Sequence, residues 1–315
     1  MKLNWFRGLA CGLVLLPALA CAAAVVPPVT VPASVPLARS FDVAAKESGE
    51  AYRVKVFVPD GPAPVNGFPV VYVLDGNVLF GTFAGAARNE AQAGDIERAV
   101  VVGIENGEGN PGADRTFDFT DMDLTDHEKA IAVDLGPNPR FGGAEAFLRV
   151  IEIEIKPRVA ALVAIDPARQ SLVGWSLGGL FVVRAMINHP GMFQNYVAIS
   201  PSLWRSGRAT LAQFPALARQ LSTRSNPPRF FVAVGGREEE LSPGMRQWKV
   251  DQTALAAEVR YAHMVGNARD LAGMAAPAFA ARKGAFEFHV FEGETHNTVP
   301  WAAVNPVLRF LYAIQ

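Results

Sequence analysis

Six short apolar runs, spaced by stretches long enough for helices, do most to limit what this chain can fold into. Phe68 to Leu74 (FPVVYVL) is nearly unbroken, and 98–104, 171–175, 196–199, 230–234 and 286–291 follow it. A strand covered on one face alternates apolar with polar residues, whereas an unbroken run belongs to a strand covered on both. Helical patterns separate or follow these runs: up to about Ala91, then 143–163, 178–188, 246–264 and 300–313. In 143–163 the residues Ala146, Phe147, Val150, Ile151 and Ile155 form one apolar side. Strands that alternate with helices wind into a parallel sheet with helices on both faces. Ahead of them, 38–45 and 50–58 read as an antiparallel pair turning at Glu47-Ser48-Gly49. The fold class expected is therefore α/β, a doubly wound and mostly parallel sheet with an antiparallel edge hairpin. The stretch 107–140, rich in Gly, Asp, Asn and Pro, reads as a long irregular excursion, a kind of loop that is usually functional.

Composition narrows the possibilities further. With 315 residues, 50% hydrophobic and 19% charged, the chain can bury a large core and is not a disordered polymer. A net charge of -1 and the lack of a long basic block exclude nucleic acid as an expected partner. Lys2 and Arg7 precede an apolar run from Leu9 to Leu19, and Ala18-Leu19-Ala20 is a small-x-small cleavage site. Residues 1–20 thus read as an export signal, too short and too interrupted by Pro17 for a membrane span. Cys21, first after the cut, opens the alternative of lipidation and membrane association through the N-terminus. Ala18 stands where a lipoprotein signal usually has Leu, so cleavage is the preferred reading and the expected location is periplasmic or secreted. The other cysteine, Cys11, lies in the signal, which leaves no pair for a disulfide and no thiolate metal site. Residues 21–37, with VPPVTVPASVP at 26–36, form a Pro-rich linker, and 38–315 a single domain.

The chemistry-bearing pattern is Gly174-Trp175-Ser176-Leu177-Gly178. Such a pentapeptide is weak alone, but an apolar strand (SLVGW) precedes it and a helical pattern follows. That is the strand–Ser–helix turn on which a nucleophilic serine is raised into a site, and the alternative is a serine capping an ordinary turn. A serine hydroxyl needs a base, and in this arrangement the order along the chain is Ser, acid, His. Of the five histidines, His127 precedes the serine, His189 closes the next helix, His263 falls inside a helical stretch and His289 on a strand face. His296, in the polar loop between the last strand and the last helix, is the expected base. The acid should follow the strand 230–234, which runs into Gly235-Gly236-Arg237-Glu238-Glu239-Glu240. Glu238 is the first choice and Glu239 the second; Asp251 lies too far into the next helix. Oxyanion donors are expected from the N–H of Leu177 and from that of Gly76 or Asn77, after the strand 68–74. Asp75 is expected to hold that turn by bonding its own backbone.

The segments PVVYVLDGN (69–77), VVGIEN (101–106), RTFDFT (115–120), GGAEAFL (142–148), GWSLGGLF (174–181), SPSLW (200–204), VGGREE (234–239) and FEGETHNTVP (291–300) resemble one group. It is the esterase branch of the α/β-hydrolases, which includes the enterobactin and salmochelin (trilactone siderophore) esterases. The resemblance spans most of the chain from about residue 50 and implies an α/β-hydrolase fold with Ser176, His296 and Glu238 as the catalytic set. It also implies Arg115 and Trp204 as substrate-binding residues. Arg205 stands where the branch often has a second aromatic. Catecholate siderophores are strongly anionic, so Arg115, Arg140 and Arg205 are the cations expected around the substrate.

The reaction expected is ester hydrolysis by two-step acyl transfer, with a small-molecule ester as partner, no cofactor and no metal. No HExxH or P-loop pattern occurs, and 103–112 lacks the G-x-G-x-x-G spacing of a dinucleotide site. Transfer of the acyl group to another alcohol and a non-catalytic periplasmic ligand-binding role are the two rival readings. A nicotinamide oxidoreductase is the third.

Overall fold

The structure is a computed structural model that describes residues 34–314 except 47–48, 106–110, 122–123 and 133–139. The expected signal (1–20) and nearly all of the linker lie outside the described residues. The chain runs β1 (Ala38–Ala44), β2 (Ala51–Phe57), β3 (Phe68–Val73), α1 (Gly76–Ala93), β4 (Val100–Ile104), α2 (Pro111–Phe119), α3 (Asp126–Ala132), α4 (Ala144–Val150) and α5 (Lys156–Leu162). It continues through β5 (Ile165–Trp175), α6 (Leu177–Asn188), β6 (Asn195–Ile199), α7 (Arg205–Thr223), β7 (Arg229–Gly235), α8 (Gln252–Ala262), α9 (Met264–Phe279), β8 (Phe286–Phe291) and α10 (Val299–Tyr312). A wide turn, Ile151–Ile155, joins α4 to α5 into one helical run.

The described strands form one sheet in the order β1-β2-β4-β3-β5-β6-β7-β8. β1 pairs antiparallel with β2 and β2 antiparallel with β4, and every later pair is parallel. The edge hairpin and the mostly parallel sheet are thus as the apolar runs imply. Successive side chains point to opposite faces, so each central strand feeds two cores. Tyr72, Val102, Leu172, Tyr196 and Val232 face α4, α5, α6, α7 and α9, whereas Val71, Val101, Val173, Val197 and Phe231 face α1 and α10. Burying each such side chain is worth about 1.5–3 kcal/mol. Because β3, β5, β6, β7 and β8 run parallel, the turns that follow them all open at one edge of the sheet.

Three stretches differ from expectation. The excursion 107–140 is not wholly irregular, since it carries α2 and α3. α7 and α9 are helices that the apolar pattern did not single out. α7 is broken near its start by Ser206, Gly207 and Arg208 at positive φ and holds Pro215 beside an intact core stripe of Leu211, Phe214, Leu217 and Leu221. α9 has a core side of Met264, Ala268, Leu271, Ala275 and Phe279, but Gly266, Gly273 and Pro277 in the same stretch argue against a helix in the sequence. Finally, the helix expected over 246–264 starts at Gln252, where the Asp251 carboxylate caps the N–H groups of Thr253 (2.8 Å) and Ala254 (3.1 Å). It ends at His263, which is not inside a helix but at the left-handed break (φ 41°) between α8 and α9.

Candidate active site

The turn between β5 and α6 is tight enough to exclude side chains. A Cβ on Gly174 would stand 2.2 Å from the carbonyl oxygen of Gly178, so only glycine fits there. Ser176 has φ 61° and ψ -120°, a conformation normally reserved for glycine. Three backbone bonds hold it: its N–H donates to Ile199 O (3.0 Å), and its carbonyl accepts from Leu180 N (3.0 Å) and Ser202 N (3.0 Å). The hydroxyl is left at the edge of the sheet, at the start of α6.

His296 lies in the turn from β8 to α10. Thr295 and Thr298 tie that turn, with Thr298 N donating to Thr295 O (3.1 Å) and Thr295 N to Thr298 Oγ1 (2.9 Å). The indole N–H of Trp175 donates to the carbonyl of His296 (3.0 Å), and the two rings lie 5.3 Å apart. The imidazole Nε2 is 2.9 Å from Ser176 Oγ, and Nδ1 is 2.6 Å from Glu238 Oε2. Glu238 follows β7, and its side chain is fully buried. Its other oxygen, Oε1, accepts the N–H of Gly235 (2.6 Å) and the hydroxyl of Ser200. An ionised carboxylate only accepts, so Nδ1 is the protonated nitrogen and Nε2 turns a lone pair to the serine hydroxyl. Glu239 is turned elsewhere, to Gly266 N (2.9 Å) and His263 Nδ1 (3.1 Å). Of the two glutamates weighed from sequence, Glu238 is therefore the one facing His296.

Leu177 is the first residue of α6, and Gly76 and Asn77 are the first two of α1, positions whose N–H groups have no partner within a helix. β3 and β5 are neighbours (Val73 beside Val173), so the two turns lie side by side. Gly76 is fixed by crowding: a Cβ there would meet the backbone of Gly103 at 2.6 Å.

Asp75 departs from expectation. Its carboxylate makes no bond to its own turn. It takes a bidentate pair from Arg115, with Nη2 to Oδ2 at 2.9 Å and Nε to Oδ1. The same Nη2 donates to the carbonyl of Trp175 (3.0 Å). Arg115 thus staples the β3–α1 turn to the β5–α6 turn and is not a free cation awaiting substrate. Arg205 is a second correction. It is buried against the fully buried Glu128 (3.5 Å) and lies over Trp204 (4.8 Å from the ring centre). Burial pushes its guanidinium below the usual range, and Glu128 works against that. Arg140 pairs with Glu50 (2.5 Å) above the ring of Phe117. Trp204 does line the cleft into which Ser176 and His296 open.

That cleft, about 230 Å³, is walled by Ser202, Trp204, Met245, Val259, Ala262 and Met264, together with Arg237, Glu240, Ser242, Thr295 and Asn297. Ser202 Oγ is 3.4 Å from Ser176 Oγ. A larger hollow, about 770 Å³, lies at the opposite ends of β5, β6 and β7 and touches none of these residues. Ser200, Ser202 and Trp175 were not singled out for the site from sequence; SPSLW placed the two serines near it, with no sign of what they bond. Among the described residues no three His, Cys, Asp or Glu side chains gather as metal ligands do.

A serine on a left-handed strand–helix turn, on a doubly wound sheet whose last loop brings an imidazole to it, defines an α/β-hydrolase. The chain belongs to the Esterase family, described as "Putative esterase", which it matches over residues 45–303. Fold and family make it a carboxylic ester hydrolase. It is similar to the ferri-bacillibactin esterase BesA of Bacillus subtilis, with 30% identity over 85% of this chain and 87% of that protein. It is also similar to the siderophore triacetylfusarinine C esterase of Aspergillus fumigatus, with 29% identity over 89% and 96%. The crystal structure of the BES protein from Bacillus cereus superposes with a TM-score of 0.73 at 28% identity, covering 92% of this chain and all of that one (100%).

Proposed function

We propose that the chain is an exported serine esterase that works through a covalent acyl-enzyme on Ser176, with siderophore-type esters as its substrate class. The observation that carries this reading is the hydrogen-bonded chain from Ser176 through His296 to Glu238. As Ser176 Oγ forms a bond to the ester carbonyl carbon, His296 Nε2 takes the hydroxyl proton and the carbonyl oxygen becomes an oxyanion. The N–H groups of Leu177 and of Gly76 or Asn77 receive that oxyanion. The carbon–oxygen bond to the alcohol then breaks, and the proton on Nε2 leaves with the alcohol. Water attacks the acyl-serine, gives a proton to Nε2, and the acid departs as the proton returns to Ser176. Glu238 keeps the imidazole in the right tautomer and stabilises its charged form in both steps. The siderophore class comes from the two relatives above. Export comes from the signal-like residues 1–20.

The test is release of p-nitrophenol from short-chain esters by wild type, Ser176→Ala and His296→Ala, with a trilactone siderophore alongside. Turnover by wild type alone is the result expected. Equal inactivity of all three on every ester would move a non-catalytic binding role to first place. N-terminal sequencing of the protein recovered from the periplasm should begin near Cys21.

A further inference from the structure

The walls of the cleft and the charges around it bear on which esters it accepts. The segment from Leu241 to Ala262 forms one wall, contributing Ser242, Met245, Val259 and Ala262. The charged residues that also line the cleft are Glu238, committed to His296, and Arg237 and Glu240, which pair with each other (3.5 Å). Arg246 turns its Nε–H to the carbonyl of Leu241 (3.1 Å) and does not line the cleft. The arginines that a polyanionic substrate would need are spent on carboxylates: Arg115 on Asp75, Arg205 on Glu128, Arg184 on Asp121 and Arg140 on Glu50.

The neighbouring excursion supplies no spare cation: its lysines and arginines in 107–140 are Arg115, Lys129 and Arg140, and each pairs with a carboxylate. The described part of this excursion packs on the wall itself: His127 bonds Glu258 (3.0 Å), and its ring lies 4.1 Å from that of Tyr261, tilted by 48°. An anionic group entering such a cleft leaves water and meets apolar carbon and carboxylates, with no unpaired cation among the described lining residues.

Taking Ser176 as the nucleophile proposed above, we infer that this cleft selects esters whose acyl group is uncharged and apolar, and rejects acyl groups that carry anions. The acyl group stays on Ser176 through both steps, and on this inference it is the part that lies against the wall. The relevant siderophore-type esters are then electroneutral ones rather than polyanionic catecholates.

The experiment compares 4-nitrophenyl hexanoate with the 4-nitrophenyl half-ester of adipic acid, equal in chain length and differing by a terminal carboxylate. Wild type should favour the neutral ester by at least about tenfold in kcat/KM, after correction for each ester's hydroxide rate. Glu240→Gln, which frees Arg237, should narrow that ratio about threefold or more at low salt, and high salt should narrow it in wild type. Equal rates, a preference for the anionic ester, or a ratio unmoved by both changes would overturn the inference while leaving the esterase reading intact. Failure of wild type to exceed Ser176→Ala on either ester would overturn both.

Discussion

The turns that hold Ser176, His296 and Glu238 and the wall that faces them are built on opposite principles. In the turns nearly every polar atom is engaged: Glu238 accepts from three groups, and Arg115 binds two turns at once. In the wall, no residue of α8 is buried, and Trp248 and Val250 are more than half exposed. What holds it is an N-cap, a pair of hydrogen bonds donated by the Gln252 side-chain amide to the carbonyls of Met245 and Trp248, and the His127–Glu258 contact. A region of few buried contacts opens at low free energy, whereas one tied into the core opens only with the whole fold. Bond-making is thus assigned to the stable part and substrate choice to the part most easily altered.

The contrast can be broken first at its stable end. Ser176→Ala should lower kcat/KM on a short-chain ester by about 10⁴–10⁶-fold with an unchanged far-ultraviolet circular dichroism spectrum. A residual rate within tenfold of wild type would mean another nucleophile. Glu238→Gln keeps the shape but not the charge and should cost about 10³–10⁴-fold in kcat, whereas Glu239→Gln should stay within about twofold. Similar losses in both would show that the acid has been misassigned. Arg115→Met leaves Asp75 buried without its partner, and urea unfolding should show a loss of about 3 kcal/mol. A loss under about 1 kcal/mol would mean that the two turns are held apart from this pair. The smallest effect belongs to the wall. Asp251→Ala should destabilise α8 by about 1 kcal/mol, seen as faster amide exchange over 252–262, with the global melting point unmoved. A fall in the global melting point would show that wall and core open together.

How much of this could be read from the sequence follows the same division. The strands, the edge hairpin and the positions of Ser176 and His296 are legible because each depends on a local pattern: an unbroken apolar run, a glycine-flanked serine, a polar loop after the last strand. Glu238 is legible only as one of two neighbours, since nothing in Arg237-Glu238-Glu239 says which carboxylate turns inward. The fates of Arg115 and Arg205 are not legible at all. Their partners, Asp75 and Glu128, are 40 residues or more away, and an arginine near a site looks the same whether it is free or paired. Ser200 escapes for the same reason, since its role is a bond to Glu238, 38 residues on. α7 and α9 were masked by helix-disfavouring residues, α7 by Gly207 and Pro215 and α9 by Gly266, Gly273 and Pro277, although both carry a core stripe.

The backbone of Ser176 carries one last consequence, for how durable the protein can be. A non-glycine residue held at φ 61° and ψ -120° costs about 1–3 kcal/mol, which the rest of the fold must absorb. Glycine would relieve that cost while adding under about 1 kcal/mol of freedom to the unfolded chain. The inactive Ser176→Gly variant should therefore melt above wild type, and a lower melting point would show that the turn is relaxed as it stands. On this account the working enzyme is kept less heat-resistant than its own architecture allows, and a search for hardier variants that ignored activity would discard the serine first.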